Sequence, residues 1–219
     1  MEFFITHFYP RLQWIAIIIP LLPFGVGFWS IRKQKDTKFR LLFLYITLGV
    51  LAQAAQLITV MLGTKNNLWM NHVYTLLEFS LMASILYRCF SKPLLKRAII
   101  VGVIGLSALI YYDAFITDGL MRMNSMSRIA ANVMLIMLAI TYFYKVANNP
   151  KIVYLDRDPI FLLSCAILVY YAGTSMSYAI FNEALAISND AARICLAINM
   201  VLVVLFYISH AFILRRMAA

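Results

Sequence analysis

Long apolar runs broken by short polar or basic connections make up most of the chain, as in AIIVGVIGLSALIYY and CLAINMVLVVLFYISHAF. A helix needs about 20 mostly apolar residues to cross the hydrocarbon core of a bilayer. Seven runs meet that length, at about 14–31, 40–62, 68–89, 96–116, 126–146, 159–182 and 192–214. Backbone amides in lipid must pair within their own segment or within a closed barrel. A barrel would show roughly ten-residue segments of alternating polarity, and these runs are unbroken. The pattern therefore predicts an all-α polytopic integral membrane protein, a seven-transmembrane-helix bundle forming a single domain over 1–219. The first run ends in a cationic loop and lacks a small-residue cleavage site, so it reads as a span and not as a signal peptide. Pro20 and Pro23, with Gly25 and Gly27, predict a kink in it.

Composition agrees. The chain is 63% apolar and 13% charged, against about 25% charged in an ordinary soluble domain. The net charge of +10 reads as topology. Segments 32–40, 88–97, 145–158 and the tail carry 14 of the 19 Lys and Arg, against Asp36, Asp156 and Asp158. Basic residues accumulate in cytoplasmic loops, so the N-terminus is expected outside and the C-terminus in the cytoplasm. A nucleic-acid partner is not implied, whereas attraction of the inner loops to anionic headgroups is. Trp14, Trp29, Trp69, Tyr87, Tyr142 and Tyr144 fall near the expected interfaces. The outer loops carry no N-x-[ST] acceptor, which favours a bacterial inner (cytoplasmic) membrane.

Ionisable residues within a span are costly and turn toward a bundle interior or cavity. Glu78 lies about ten residues into the third run. Asn71, Tyr74 and Glu78 share one helical face, flanked by Thr75. Other runs offer Gln53 and Gln56, Arg128 and Asn132, a Tyr170–Tyr178 cluster including Tyr171, and Asn199. With the orientation applied, most of these fall in the outer half. Ser164 and His210 are the main polar residues of the inner half. Glu78, Tyr74, Asn71, Gln53, Gln56, Arg128, Asn132, Tyr171 and Asn199 are thus expected around an outward-facing polar cavity centred on Glu78. The Glu78 charge could be met by Arg128, by a cationic ligand or by protonation. Polar residues also serve as helix-to-helix ties. Asp113, Arg128 and Arg193 read equally as side chains reaching for outer headgroups, and His72 as interfacial.

Named chemistries are mostly excluded. Span 192–214 has no Lys for a retinal Schiff base. The third run ends LYRCF, without the acidic-Arg-aromatic triplet of eukaryotic seven-helix receptors. No PQ dipeptide, P-loop, dinucleotide fingerprint or G-x-S-x-G occurs. The three Cys and three His fall at different depths, predicting no disulfide, no metal site and no cofactor. Cys89, beside Arg88, reads as an interfacial thiol, with palmitoylation as the alternative. The favoured reading is a membrane binding or sensing protein that takes a small-molecule ligand from the outer side. About five residues follow the last run, so a signal to a cytoplasmic partner protein would pass through the inner loops. A solute or proton-coupled transporter using Glu78 is the alternative. An intramembrane enzyme working through Glu78, His72 and Asp113 is third, with no catalytic set identified.

Overall fold

The computed structural model describes residues 4–64, 66–117, 119–120, 124–148 and 155–218. Lys65, Arg122 and Lys151 of the basic count, and Glu2 and Asp118 of the acidic one, lie outside them. Among the described residues there is no strand. The long helices are α1 (Thr6–Ser30), α2 (Thr37–Met61), α3 (Trp69–Tyr87), α4 (Pro93–Tyr112), α5 (Ser125–Ala147), α6 (Pro159–Ile187) and α7 (Asn189–Ala218). Six of the seven are long and apolar enough to cross a membrane. The exception is α3. It has 19 residues and carries Asn71, His72 and Glu78, which lower its hydropathy.

Helix ends follow local chemistry. Asp36 caps α2 by accepting from the Lys38 amide at 2.9 Å, and Asp158 caps α6 by accepting from the Ile160 amide at 2.9 Å. Proline opens α4 and α6, where its missing N–H costs nothing. α1 breaks where predicted. Its halves Tyr9–Ile18 and Leu21–Ser30 meet at Ile19 and Pro20, and the Leu22 amide reaches back only three residues, to the Ile19 carbonyl. Pro20 and Pro23 withhold the amides that would have continued the ladder. α6 and α7 overrun the expected limits of 182 and 192. Only Ser188 separates them, in extended backbone, its Oγ accepting from the Ala191 amide at 3.1 Å. The apolar run ends before the helix because beyond the hydrocarbon a helix can carry polar residues all round.

The helices form a ring in the order α1, α2, α3, α5, α6, α7, with α4 outside against α3 and α5. Gln34 Nε2 donates to the Ala218 carbonyl, and Lys145 Nζ to the Cys89 carbonyl. The basic connections therefore gather at one end. Toward that end the interior is dry. Phe39, Leu42, Ile46, Met82, Leu86, Leu163 and Leu214 are fully buried. The outer surface carries large exposed apolar side chains on every side, including Trp29 at 84%, as a lipid-facing wall does. Tyr142, near that end, is buried, its hydroxyl donating to Asp158 at 2.6 Å. Burial raises the pKa of the Cys89 thiol despite nearby Lys38 and Lys145, and its Sγ donates to the Ile85 carbonyl. It is a weak nucleophile in this setting.

Two glycines of α1 test this packing. A Cβ at Gly27 would sit 2.2 Å from the Phe43 ring, whereas one at Gly25 meets nothing within 4 Å. Gly27→Ala should lower stability by about 1–3 kcal/mol. Gly25→Ala should raise it by up to about 1 kcal/mol through helix propensity. Thermal unfolding in detergent checks both signs.

Candidate functional site

The face of α3 that carries Asn71, Thr75 and Glu78 turns into the ring. Glu78 is 2% exposed, and its carboxylate is met from three other helices. Arg128 of α5 forms an ion pair through Nη1. The hydroxyls of Tyr45 on α2 and Tyr171 on α6 donate to Oε1 at 3.1 and 2.9 Å. An ionised carboxylate in a low-dielectric interior persists only with partners of this kind. Of the three ways of balancing Glu78, the structure contains the Arg128 pair.

Arg128, 5% exposed, is held tightly in turn. Its guanidinium lies 6.0 Å from the Tyr74 ring and 5.5 Å from the Tyr178 ring, in range for cation–π attraction. Nη1 also reaches Thr75 Oγ1 at 3.5 Å, and Nε has no hydrogen-bond partner. One turn earlier, Asn124 Nδ2 donates to Thr75 Oγ1 at 2.8 Å and to the Asn71 carbonyl at 3.3 Å. Asp113, at the end of α4, accepts from the Ser127 amide at 3.0 Å and from its hydroxyl at 2.6 Å. The carboxylate thus sits at the α5 N-terminus, where the helix dipole favours it. The expectation that Asp113 and Arg128 reach outer headgroups is therefore corrected: both are buried, because each has a partner on a neighbouring helix. His72 is likewise buried, with neither ring nitrogen hydrogen-bonded.

Above the ion pair, away from the basic end, lies a cavity of about 180 Å³. Amides from Gln53, Gln56, Asn71 and Asn124 line it, with the Arg128 guanidinium and the rings of Tyr74, Tyr170, Tyr178 and Tyr207. Gln56 Nε2 donates to Asn71 Oδ1 across it at 3.3 Å. Gly49 makes room, since a Cβ there would lie 2.3 Å from the Tyr207 hydroxyl. A second void of about 390 Å³ adjoins it and shares Gln53, Gln56, Tyr178 and Val203.

Of the predicted residues, Gln53, Gln56, Asn71, Tyr74 and Arg128 line the first cavity. Asn199 lines the second. Glu78 and Tyr171 lie beneath the first, bonded to one another, and do not line it. The cavity is centred on Arg128 and not on Glu78, since the carboxylate is covered by its own donors. Asn132 does not reach it either. Its Nδ2 donates to Thr174 Oγ1 at 3.3 Å and Ser175 Oγ at 3.0 Å, tying α5 to α6. Tyr45, Asn124 and Tyr207 were missed. Tyr45, Gly49, Ala52, Gln53 and Gln56 follow helical spacing on one face, and so do Asn199, Val203, Tyr207 and His210. That spacing could have identified both tyrosines. Asn124 precedes its helix and gives no such signal.

Glu78, His72 and Asp113 do not form an acid–base set, since Glu78 is engaged by Arg128 and Asp113 by Ser127. Among the described residues no three His, Cys, Asp or Glu side chains come together to hold a metal ion. No family model, curated protein or solved structure matches the chain.

Removing one partner of a buried ion pair strands the other, at about 3–5 kcal/mol. Glu78→Ala and Arg128→Ala should each destabilise by that amount. The double variant Glu78→Leu/Arg128→Met should lose less than either single. A double-mutant cycle by thermal unfolding in detergent measures this coupling.

Proposed function

We propose that the protein is a seven-span membrane sensor whose polar cavity receives a small, uncharged, hydrogen-bonding solute from the outer side. The single observation that carries the reading is the cavity of about 180 Å³ with the Arg128–Glu78 pair as its floor. The pair is formally neutral, and among the described residues no other ionisable side chain except the tyrosines lines the cavity. An ionic ligand would bring an uncompensated charge into low dielectric. Amide and phenol walls offer both donors and acceptors, which suits a neutral solute. The volume is below the roughly 300–1,000 Å³ of drug-sized sites.

Binding without passage is favoured over transport. A transporter needs a polar path to both faces. Below Glu78 the interior is closed by Phe39, Leu42, Leu86, Leu163 and Leu214, all fully buried. His210 is sealed there too, stacked on Tyr45 at 5.5 Å. A solute acceptor on the Arg128 guanidinium would compete with Glu78 and loosen the tie between α3 and α5. The inner end of α5 leads into segment 145–158, a route to a cytoplasmic partner. In this reading α3 is also a span, shielded from lipid on its polar face. The N-terminus lies outside, the C-terminus in the cytoplasm, and the host is a bacterial inner membrane.

Two measurements test this. In intact cells, an impermeant maleimide should label Thr64→Cys and Leu120→Cys but not Lys33→Cys or Asn148→Cys, in a background lacking the native cysteines. The reverse pattern refutes the orientation. A panel of small uncharged amides and polyols should include a member that stabilises the wild type, by about 2.7 kcal/mol at a hundredfold excess over Kd. Ala52→Trp, which fills the cavity from its wall, should abolish that response. Equal responses from the two proteins refute the site.

A further inference from the structure

The second void extends the first toward lipid, and the kink in α1 is what opens it. The inner half of α1 packs on both α2 and α7, whereas the outer half, Tyr9–Ile18, packs on α7. Between that outer half and α2 lies the space of about 390 Å³. Its walls differ from those of the first cavity. Ile17 of α1, Leu57 and Val60 of α2, and Leu196 and Met200 of α7 give it a broad apolar side. Gln53 and Gln56 stand where the two spaces join. At its margin Val60 is 61% exposed on the outer surface of the bundle.

We infer that the occupant of the joined cavities is an amphiphile: a small uncharged hydroxyl- or amide-bearing head in the first space and an aliphatic tail in the second, entering from the outer leaflet between α1 and α2. This rests on the reading of the first cavity as a solute site and deepens it. A wholly water-soluble ligand would leave water standing against Ile17, Leu57, Leu196 and Met200. A bare acyl chain would leave the Gln53 and Gln56 amides dry, which is costly. A molecule with both parts satisfies both walls. The Asn199 Oδ1 atom supports this independently. It is buried on the wall of the second space and has no hydrogen-bond partner, so it calls for a donor near the head-to-tail junction. The neutral Arg128–Glu78 floor sets the head apart from a phosphate or quaternary ammonium.

The test uses a monoacylglycerol with a mid-chain diazirine, with the full chain in phosphatidylcholine nanodiscs. Photolabelling should concentrate on Ile17, Leu57 and Met200. It should fall at least tenfold in Leu57→Trp and in Ile17→Trp, either of which fills the tail space, and in Ala52→Trp, which fills the head space. Label spread evenly over lipid-facing positions such as Val101 and Val169, or unchanged in these variants, overturns the amphiphile. Glycerol, the same head without a tail, separates the two levels. If glycerol stabilises wild type but not Ala52→Trp while the labelling is even, the solute site stands and the tail site falls. If neither probe distinguishes wild type from Ala52→Trp, both fall.

Discussion

A carboxylate this deep in a bundle dictates where its neighbours must stand. Left alone in a low-dielectric interior, Glu78 would cost several kcal/mol. With Arg128, Tyr45 and Tyr171 in place it becomes the point where α2, α3, α5 and α6 are registered against one another. Sliding any of these helices by one residue moves its side chain by about 1.5 Å along the axis and 100° around it, which breaks a bond to the carboxylate. Apolar packing in a membrane has no comparable penalty for slippage, because lipid tails are as apolar as leucine. The interaction therefore ties the register of four helices to one carboxylate.

The same constraint divides the molecule into unlike halves. Satisfying Glu78 and Arg128 draws in tyrosines and amides, whose bulk and polarity prevent the close interdigitation seen below them. Above the pair, Gly49 yields space to Tyr207, and a cavity remains. Below it, buried apolar side chains such as Phe39, Leu42, Leu86 and Leu163 pack the interior of the ring. The bend at Pro20 acts at this boundary too, since the Leu21–Ser30 half of α1 packs on both α2 and α7 while the Tyr9–Ile18 half packs on α7.

Much of this was legible in the chain. The stripe Asn71–Tyr74–Glu78 was readable because 3.6-residue spacing and depth are both sequence properties, and so was the break at Pro20. What failed has a common cause: spacing defines a face but not its partner. Arg128 and Asn132 share a spacing and were grouped, yet the small angular offset between them sends one to Glu78 and the other to Thr174 and Ser175. Tyr45 looks like bulk in an apolar run, and only the position of Glu78 gives its hydroxyl a purpose. Asp113 reads in the chain as a side chain reaching for headgroups, but hydropathy cannot register its partner Ser127 on the next helix. The polarity that keeps α3 short of the apolar threshold comes largely from the residues it turns inward.

α4 shows how a helix outside the ring can govern the site without touching it. Its terminal Asp113 grips the amide and hydroxyl of Ser127, the residue next to Arg128. The start of α5 is fixed a second time by Asn124, whose amide reaches Thr75 and the Asn71 carbonyl, while its own carbonyl accepts from the Arg128 amide at 3.0 Å. Arg128 is thus anchored through its backbone before its guanidinium meets Glu78.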